Sequence, residues 1–141
     1  MAEPRKLTPA EEARLAQVRD QFKQKQAISN SLNSIKYRIG VYSGKGGVGK
    51  TTVTTNLALT LAKHGRKVAI LDCDIDCPNV TRVLRISERP GADNEGKMIP
   101  PSKHGVSVMS MGFFQENEDE AIVWRGPMIH NAINQFISKT N

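Results

Sequence analysis

The stretch "SGKGGVGKTTVTTNLALTLAKHG", residues 43–65, decides the fold of this chain. Its first part matches the spacing G-x-x-x-x-G-K-[ST] from Gly44 to Thr51. The apolar run "KYRIGVYS" at 36–43 predicts a strand before this loop, and 51–64 predicts a helix after it, which Gly65 ends. A strand, a glycine-rich loop and a helix in this order predict the phosphate-binding loop of an α/β protein.

The residue types in this loop suit a bound triphosphate, whose negative charges must be met without bulky side chains. Glycines let the backbone turn tightly and aim its N–H groups inward. The helix that begins near Lys50 adds its positive dipole end, Lys50 can reach the β- and γ-phosphates, and the Thr51 hydroxyl can ligate Mg²⁺. The alternative, a glycine-rich turn that binds nothing, is disfavoured by the strand and the helix on either side. The predicted ATP-binding residues are Gly44, Lys45, Gly46, Gly47, Val48, Gly49, Lys50, Thr51 and Thr52.

Residues 1–35 are predicted to form a helical extension ahead of the nucleotide-binding domain. Thr8 is the expected N-cap, Pro9 occupies the first helical position, and Glu11 completes a T-x-x-E capping box. Residues 1–38 carry eight lysines and arginines against four acids. This excess favours a solvated helix face, with contact to nucleic acid or anionic lipid as the alternative.

Residues 36–141 are predicted to form the P-loop domain. The segments "KVAILDCD" (67–74) and "GVSVMSMG" (105–112) predict two further strands, and a helix is expected from Gly126 onward. The run at 67–74 is nearly all apolar, which is typical of a parallel strand covered on both faces. Strands that alternate with helices predict an α/β fold, here a P-loop NTPase with a parallel sheet flanked by helices. Three strands are few for such a sheet, so the domain is expected to be C-terminally incomplete, the truncated N-terminal half of a longer one.

Three aspartates stand at the carboxyl end of the second predicted strand, where ligands bind in open α/β sheets. If the chain stays extended there, Asp72, Asp74 and Asp76 share one face. Mg²⁺ or a proton would then relieve their repulsion of a triphosphate. Cys73 and Cys77 lie among them, but C-x₃-C is not the spacing of a tetrahedral metal site. We expect Cys73 to be a small buried hydrophobe.

The sequence predicts neither a membrane span nor a leader segment. No run of about 18 apolar residues occurs. The N-terminus has no apolar core of a signal peptide and contains several acids. Two cysteines do not make a disulfide framework. A cytoplasmic protein is therefore expected.

The loop "KGGVGKTT" resembles the deviant Walker A motif of the MinD/ParA/Mrp class of P-loop ATPases. The resemblance implies that Lys45 is a signature lysine, which crosses a dimer interface and adds a cation where charge develops during phosphoryl transfer. The segment "LDCDIDCPN" is similar to switch I of this class, so that Asp74 would position the attacking water and Asp72 would act on the Mg²⁺ shell. Where many Mrp-type members have an aromatic residue and a glycine, this chain has Asp76 and Cys77. The resemblance thus implies Lys45, Lys50 and Asp74 as catalytic residues, and Thr51, Asp72 and Asp74 around Mg²⁺.

The segment "IVWRGPMIHNAINQF", 122–136, is similar to the W-R-G-P-M segment and helix of Mrp-type (ApbC-like) iron–sulfur cluster carriers. This implies an ATP-hydrolysing homodimer that delivers clusters to apo iron–sulfur proteins and uses ATP, Mg²⁺ and a [4Fe–4S] cluster. In the family a later C-x-x-C pair holds the cluster, and this chain has no such pair. Cluster binding and appreciable turnover are therefore not expected of this chain, and nucleic acid is not expected as a partner.

Two other functions stay open on the sequence. The basic N-terminal segment allows a ParA- or MinD-like organiser that binds DNA or membrane, although the W-R-G-P-M segment argues against it. An interaction module without activity is also possible, because half a domain can bind nucleotide weakly. A nucleotide-dependent melting shift would separate that module from the two ATPases.

Overall fold

The computed structural model describes residues 8–114 and 126–140, and the chain divides into two compact units, Met1–Tyr37 and Arg38–Asn141. The first unit consists mainly of one long helix, α1 (Pro9–Ser34). Its N-terminus has the predicted capping box, because the Thr8 hydroxyl accepts the Glu11 N–H while the Thr8 N–H donates to Glu11 Oε2 at 2.8 Å. Over its whole described length α1 buries no residue, so local interactions carry most of its stability within this unit.

The second unit is an α/β arrangement with two small sheets. The described part of this unit contains nine elements of secondary structure. The bounds are α2 Lys50–Lys63, β1 Val68–Asp72, α3 Val80–Leu84, β2 Gly91–Ala92, β3 Met98–Ile99, β4 Ser102–Lys103, β5 Val106–Ser110, a 3₁₀-helix Met111–Phe114 and α4 Gly126–Lys139. One sheet has the strand order β1-β5-β4, and β2 pairs with β3 in the other.

The core of this unit lies between one face of the larger sheet and helices α2 and α3. Its buried side chains are Ala58, Ile70, Val80, Leu84, Val106 and Val108. Gly65, with φ of +74°, follows the end of α2 and turns the chain toward β1, as predicted. Only residues 64–67 separate α2 from β1 and the two pack together, so they run in opposite directions. The carboxyl end of β1 therefore lies at the N-terminal end of α2.

The opposite face of β5 is covered by α4. Met109 of β5 packs with Met111 and Phe136 in a second buried cluster. The helix predicted from Gly126 onward is confirmed, and Phe136 is buried among its described side chains. The predicted strands at 67–74 and 105–112 are confirmed as the shorter β1 and β5, which are parallel and pair from Val68 opposite Val106 to Asp72 opposite Ser110.

The strand predicted at 36–43 is wrong. This segment has no regular secondary structure, and its apolar side chains are largely exposed, Ile39 at 64% and Tyr42 at 92%. A strand needs a neighbour whose backbone groups pair with its own. Among the described residues no strand pairs with 36–43, and the one ladder of β1 is made with β5. The segment is therefore left without a sheet partner in the described part of the chain.

The prediction that the apolar strand at 67–74 is covered on both faces is also wrong for the described residues. Ile70 and Asp72 of β1 are buried, whereas Ala69 and Leu71 on the opposite face are exposed, Leu71 at 41%. Successive side chains of a strand point to opposite faces, and α2 and α3 contact only one of them. The apolar composition of β1 thus exceeds what the described packing buries.

The larger sheet is mixed, which differs from the parallel sheet that the sequence predicts. Strand β4 pairs with β5 antiparallel, with Lys103 opposite Val106. The turn between them consists of His104 and Gly105, both with positive φ, at 54° and 78°. Two residues in this conformation join antiparallel strands directly, because the twist of the turn matches that of the strands. The segment 87–105 contains three short strands, β2, β3 and β4.

Candidate nucleotide-binding site

The glycine-rich loop has a backbone that only glycine adopts readily. Gly47 has φ of +71° and Gly49 has φ of +93°, both in the left-handed region. A Cβ added at Gly44, Gly46, Gly47 or Gly49 would meet no other atom within 4 Å. Backbone conformation therefore favours glycine at 47 and 49, whereas crowding within the chain requires it at none of the four positions. Open space beside an exposed backbone is what a phosphate chain needs.

The N-terminal end of α2 faces this space without a side-chain cap. Gly49 is the N-cap, and its carbonyl oxygen accepts the Val53 N–H at 2.9 Å. The N–H groups of the first turn before Val53 have no acceptor within the helix by geometry. Together with the positive end of the helix dipole they favour an anion.

The two lysines of the loop are linked to each other. Lys50 extends its Nζ back across the loop to within 3.5 Å of the Lys45 carbonyl oxygen. The Lys45 N–H donates to Ser43 Oγ at 3.1 Å, which holds the loop entry. In the part of the chain that the structure describes, no carboxylate forms an ion pair with Lys45 or Lys50. Both ammonium groups are thus free to meet phosphate oxygens.

Asp72 ends β1 and is buried, although it is a carboxylate. Its Oδ1 accepts the Asp74 N–H at 3.1 Å, and its Oδ2 accepts the Val80 N–H and the Ser110 hydroxyl, both at 3.3 Å. Burial raises the pKa of Asp72, while these three hydrogen bonds act in the opposite direction. Asp72 thereby holds the first residue of α3 and the start of the segment 73–79.

The other two aspartates do not share a strand face with Asp72. The strand ends at Asp72, the chain bends at 75–76, and Asp74 Oδ1 accepts the Cys77 N–H at 3.1 Å. The condition under which the three would share a face, an extended chain, is therefore not met, because aspartate side chains bond the backbone of the residues that follow and favour a turn. Asp76 is exposed.

The expectation that Cys73 is a buried hydrophobe is wrong as well. Cys73 and Cys77 are both exposed free thiols, because β1 ends before Cys73 and leaves it outside the packed face. Local desolvation and the nearby Asp72 carboxylate raise the pKa of the Cys73 thiol. Among the described residues, no three His, Cys, Asp or Glu side chains come close enough to hold a metal ion.

Ser110 is a site residue that reasoning from the sequence missed. It ends β5 directly opposite Asp72, is 0% exposed, and donates its hydroxyl to Asp72 Oδ2. The signal was present in the sequence, since a hydroxyl interrupts the apolar alternation Val106, Val108, Ser110 on one strand face. Only the parallel register shows that this hydroxyl meets a carboxylate.

The site residues suit Mg²⁺ bound together with a nucleotide better than a metal ion bound by protein side chains alone. Mg²⁺ is commonly held by one or two carboxylates and by substrate phosphates, and it does not require a complete protein cage. Asp72 supplies a fixed carboxylate at the end of the sheet where α2 begins, and among the described residues one N–H, that of Asp74, donates to its Oδ1. Residues 122–125, which carry part of the W-R-G-P-M segment, lie outside the described residues.

No helix within the described ranges has both the length and the apolarity to cross a membrane.

Sequence relatives cover most of this chain. It is 45% identical over 115 residues to an iron–sulfur cluster carrier protein of Methanococcus maripaludis, a match that covers 81% of this chain and 40% of the relative. A carrier protein of the same description from Bacillus subtilis is 43% identical over 125 residues, covering 89% and 35%. The mouse cytosolic Fe-S cluster assembly factor NUBP2 is 43% identical over 115 residues, covering 79% and 42%. The chain thus spans less than half the length of these relatives.

A solved structure and a family profile agree with these matches. A nucleotide-binding protein from Archaeoglobus fulgidus, solved in complex with ADP, superimposes with a TM-score of 0.67 at 33% identity, covering 82% of this chain and 43% of that one. It confirms the P-loop nucleotide-binding fold predicted from the sequence. The profile described as "ParA: NUBPL iron-transfer P-loop NTPase" matches residues 34–141. This chain belongs to the ParA/NUBPL family of iron-transfer P-loop NTPases.

Proposed function

We propose that this chain is the ATP-binding part of an iron–sulfur cluster carrier ATPase, with nucleotide held by residues 44–52. The observation that carries the proposal is the open loop, which combines two glycines in the left-handed region, the uncapped start of α2 and two lysines that form no ion pair with a described carboxylate. The ADP complex of the Archaeoglobus fulgidus protein supports a nucleotide as the ligand.

The residues of the loop have distinct roles in this proposal. Backbone N–H groups from 44–52 bind the phosphates, and Lys50 exchanges the Lys45 carbonyl for β- and γ-phosphate oxygens. Lys45, on the exposed side of the loop, reaches the nucleotide of a second copy in a homodimer and offsets charge that develops as the γ-phosphate leaves. Asp74 orients the attacking water, and its bond to the Cys77 N–H fixes the turn from which it acts.

Mg²⁺, when bound, would supply positive charge that offsets the charge of the phosphates. Thr51 at the start of α2 and Asp72 at the end of β1 are the residues proposed to hold it, and Asp74 lies two residues farther on. The three donors on Asp72 keep that carboxylate in one orientation.

The names of the relatives support iron–sulfur cluster transfer as the wider function, with apo iron–sulfur proteins as clients and the cytoplasm as the compartment. The described residues supply two exposed thiols, in a C-x₃-C pair beside the phosphate site. We propose that the [4Fe–4S] cluster is not held there, because an anionic cluster would compete with the triphosphate for the same cations. The DNA- or membrane-organising alternative has no support among the names of the relatives reported above.

A melting experiment tests the nucleotide site. Mg-ADP should raise the melting temperature of the chain, because a ligand that binds only the folded state stabilises it by mass action. Lys50→Ala should abolish this shift, whereas Lys63→Ala, at the other end of the same helix, should keep it. An undiminished shift in Lys50→Ala would place the nucleotide elsewhere.

A further inference from the structure

The buried hydroxyl of Ser110 uses both its donor and its acceptor capacity. It accepts the Gly112 N–H at 3.1 Å and donates to Asp72 Oδ2 at 3.3 Å. Because Gly112 can only donate to this oxygen, the serine proton is directed at the carboxylate. The Gly112 N–H and the Asp72 carboxylate thus fix the direction of both hydrogen bonds of the Ser110 hydroxyl.

Packing alone does not explain a serine at this position. Val106 and Val108 occupy the same strand face and are fully buried in the apolar core. A hydroxyl among such neighbours costs free energy unless it is hydrogen-bonded, and an alanine would fill the space without that cost. Position 110 instead carries a hydroxyl that donates a hydrogen bond to the Asp72 carboxylate.

Asp72 is held by donors from separate elements. The Val80 N–H comes from the start of α3, the Ser110 hydroxyl from the end of β5, and the Asp74 N–H from the segment that follows Asp72. Two of them share Oδ2, so rotation of the carboxylate would break both bonds together. Among the described residues Oδ1 has one donor, which leaves it a lone pair for a further ligand.

The serine is itself fixed by a close approach on its other side. A Cβ at Gly112 would lie 3.3 Å from Pro78 Cβ and Cγ and 3.4 Å from Ser110 Oγ. The 3₁₀-helix after β5 therefore packs directly on the segment 73–79. The acceptor side of Ser110 and the segment that contains Asp74 are held by the same contact.

We propose that Ser110 is a positioning residue that orients the Asp72 carboxylate toward the Mg²⁺ of a bound nucleotide. This rests on the proposed nucleotide site and adds to it a group that touches neither metal nor phosphate. Hydrogen-bond partners of metal-binding carboxylates affect metal affinity through the carboxylate alone. Ser110 should therefore contribute to binding only when Mg²⁺ is present.

The test compares ADP affinity with Mg²⁺ and with EDTA, measured by calorimetry on the whole chain. In Ser110→Ala the gain in affinity that Mg²⁺ provides should fall about tenfold, the size expected for such a hydrogen-bond partner, while affinity in EDTA stays unchanged. Ser107→Ala, on the other face of the same strand, is the matched control and should keep the full gain. In an Asp72→Asn background, Ser110→Ala should have no further effect, because a residue that acts through Asp72 has nothing left to orient.

The opposite results would overturn the proposal. Equal weakening with Mg²⁺ and with EDTA would show a purely structural role, and an additive effect in the Asp72→Asn background would show that Ser110 acts by another route. If Ser110→Ala does not fold, Ser110→Cys, which keeps the volume and only a weak donor, should show the same selective loss in part. Wild-type chain that fails to bind ADP at all would overturn the nucleotide site itself, and this result is distinct from an unaffected Ser110 variant.

Discussion

Gly49 has the largest positive φ among the described residues, +93°, at the junction of the loop and α2. A Cβ there finds open space, so any cost of substitution is conformational. We expect Gly49→Ala to lower the unfolding free energy by about 1–2 kcal/mol, the cost of the left-handed region for an L-residue. Gly44→Ala, in equally open space and without a positive φ, should be close to neutral. Denaturant unfolding of both variants measures this, and equal losses would contradict the backbone argument.

The buried carboxylate of Asp72 predicts a pH dependence of stability. Since burial raises the pKa of Asp72, its carboxylate takes up a proton more readily in the folded chain than in the unfolded chain. Lowering the pH from neutral toward the ordinary aspartate range therefore adds stability through this group, and raising the pH through its folded pKa removes that stability. Wild-type chain should gain unfolding free energy relative to Asp72→Asn as the pH falls over this window. Urea unfolding across the window measures the difference, and a relative loss on acidification would refute the assignment.

At the scale of elements, α1 depends on local interactions because none of its residues is buried. The capping box is the clearest of them, and its hydrogen bonds from Thr8 lower the pKa of Glu11. Thr8→Ala should cost about 1 kcal/mol of helix stability, and circular dichroism should show a loss of helical signal. Thr8→Ser retains the oxygen acceptor and should retain the signal. Equal helicity in all three chains would mean that the cap does not limit this helix.

The end of β1 and the end of β5 form one element of the site. Asp72 and Ser110 face each other in parallel register, and the segment 73–79 is folded back by hydrogen bonds to Asp72 and Asp74. The Ser110 hydroxyl and the backbone N–H groups of Asp74 and Val80 thus donate to one carboxylate.

At the scale of the whole molecule, the open face of β1 predicts self-association. Leu71 is 41% exposed on a strand with one edge that no described strand pairs with, and exposed apolar surface at such an edge favours contacts between chains. Leu71→Asp should reduce association, measured by light scattering after size exclusion, without lowering the melting temperature. Its neighbour Ile70 is 5% exposed, so Ile70→Asp should unfold the chain. If Leu71→Asp also unfolds it, that face is packed in solution.

The division of the chain between extension and domain remains a proposal. We place a helical extension at 1–35 and the P-loop domain at 36–141, next to the two compact units of the structure. The family profile begins at residue 34, which is compatible with a domain that starts near this point.

The sequence by itself determined the features that depend on neighbours along the chain. The glycine-rich loop, the α2 helix ended by Gly65 and the capping box at Thr8 arise from residues a few positions apart, so local patterns predicted them. The motifs in the loop and near 122–136 also indicated the family, through their resemblance to motifs of its members.

Only the tertiary structure decided which groups meet across the chain. An apolar run predicts a strand at 36–43, but strand formation requires a partner, and none pairs with it among the described residues. The exposure of Cys73 depends on where β1 ends and on which of its faces the helices cover. The meeting of Ser110 and Asp72, 38 positions apart, depends on strand register, which spacing along the sequence does not encode.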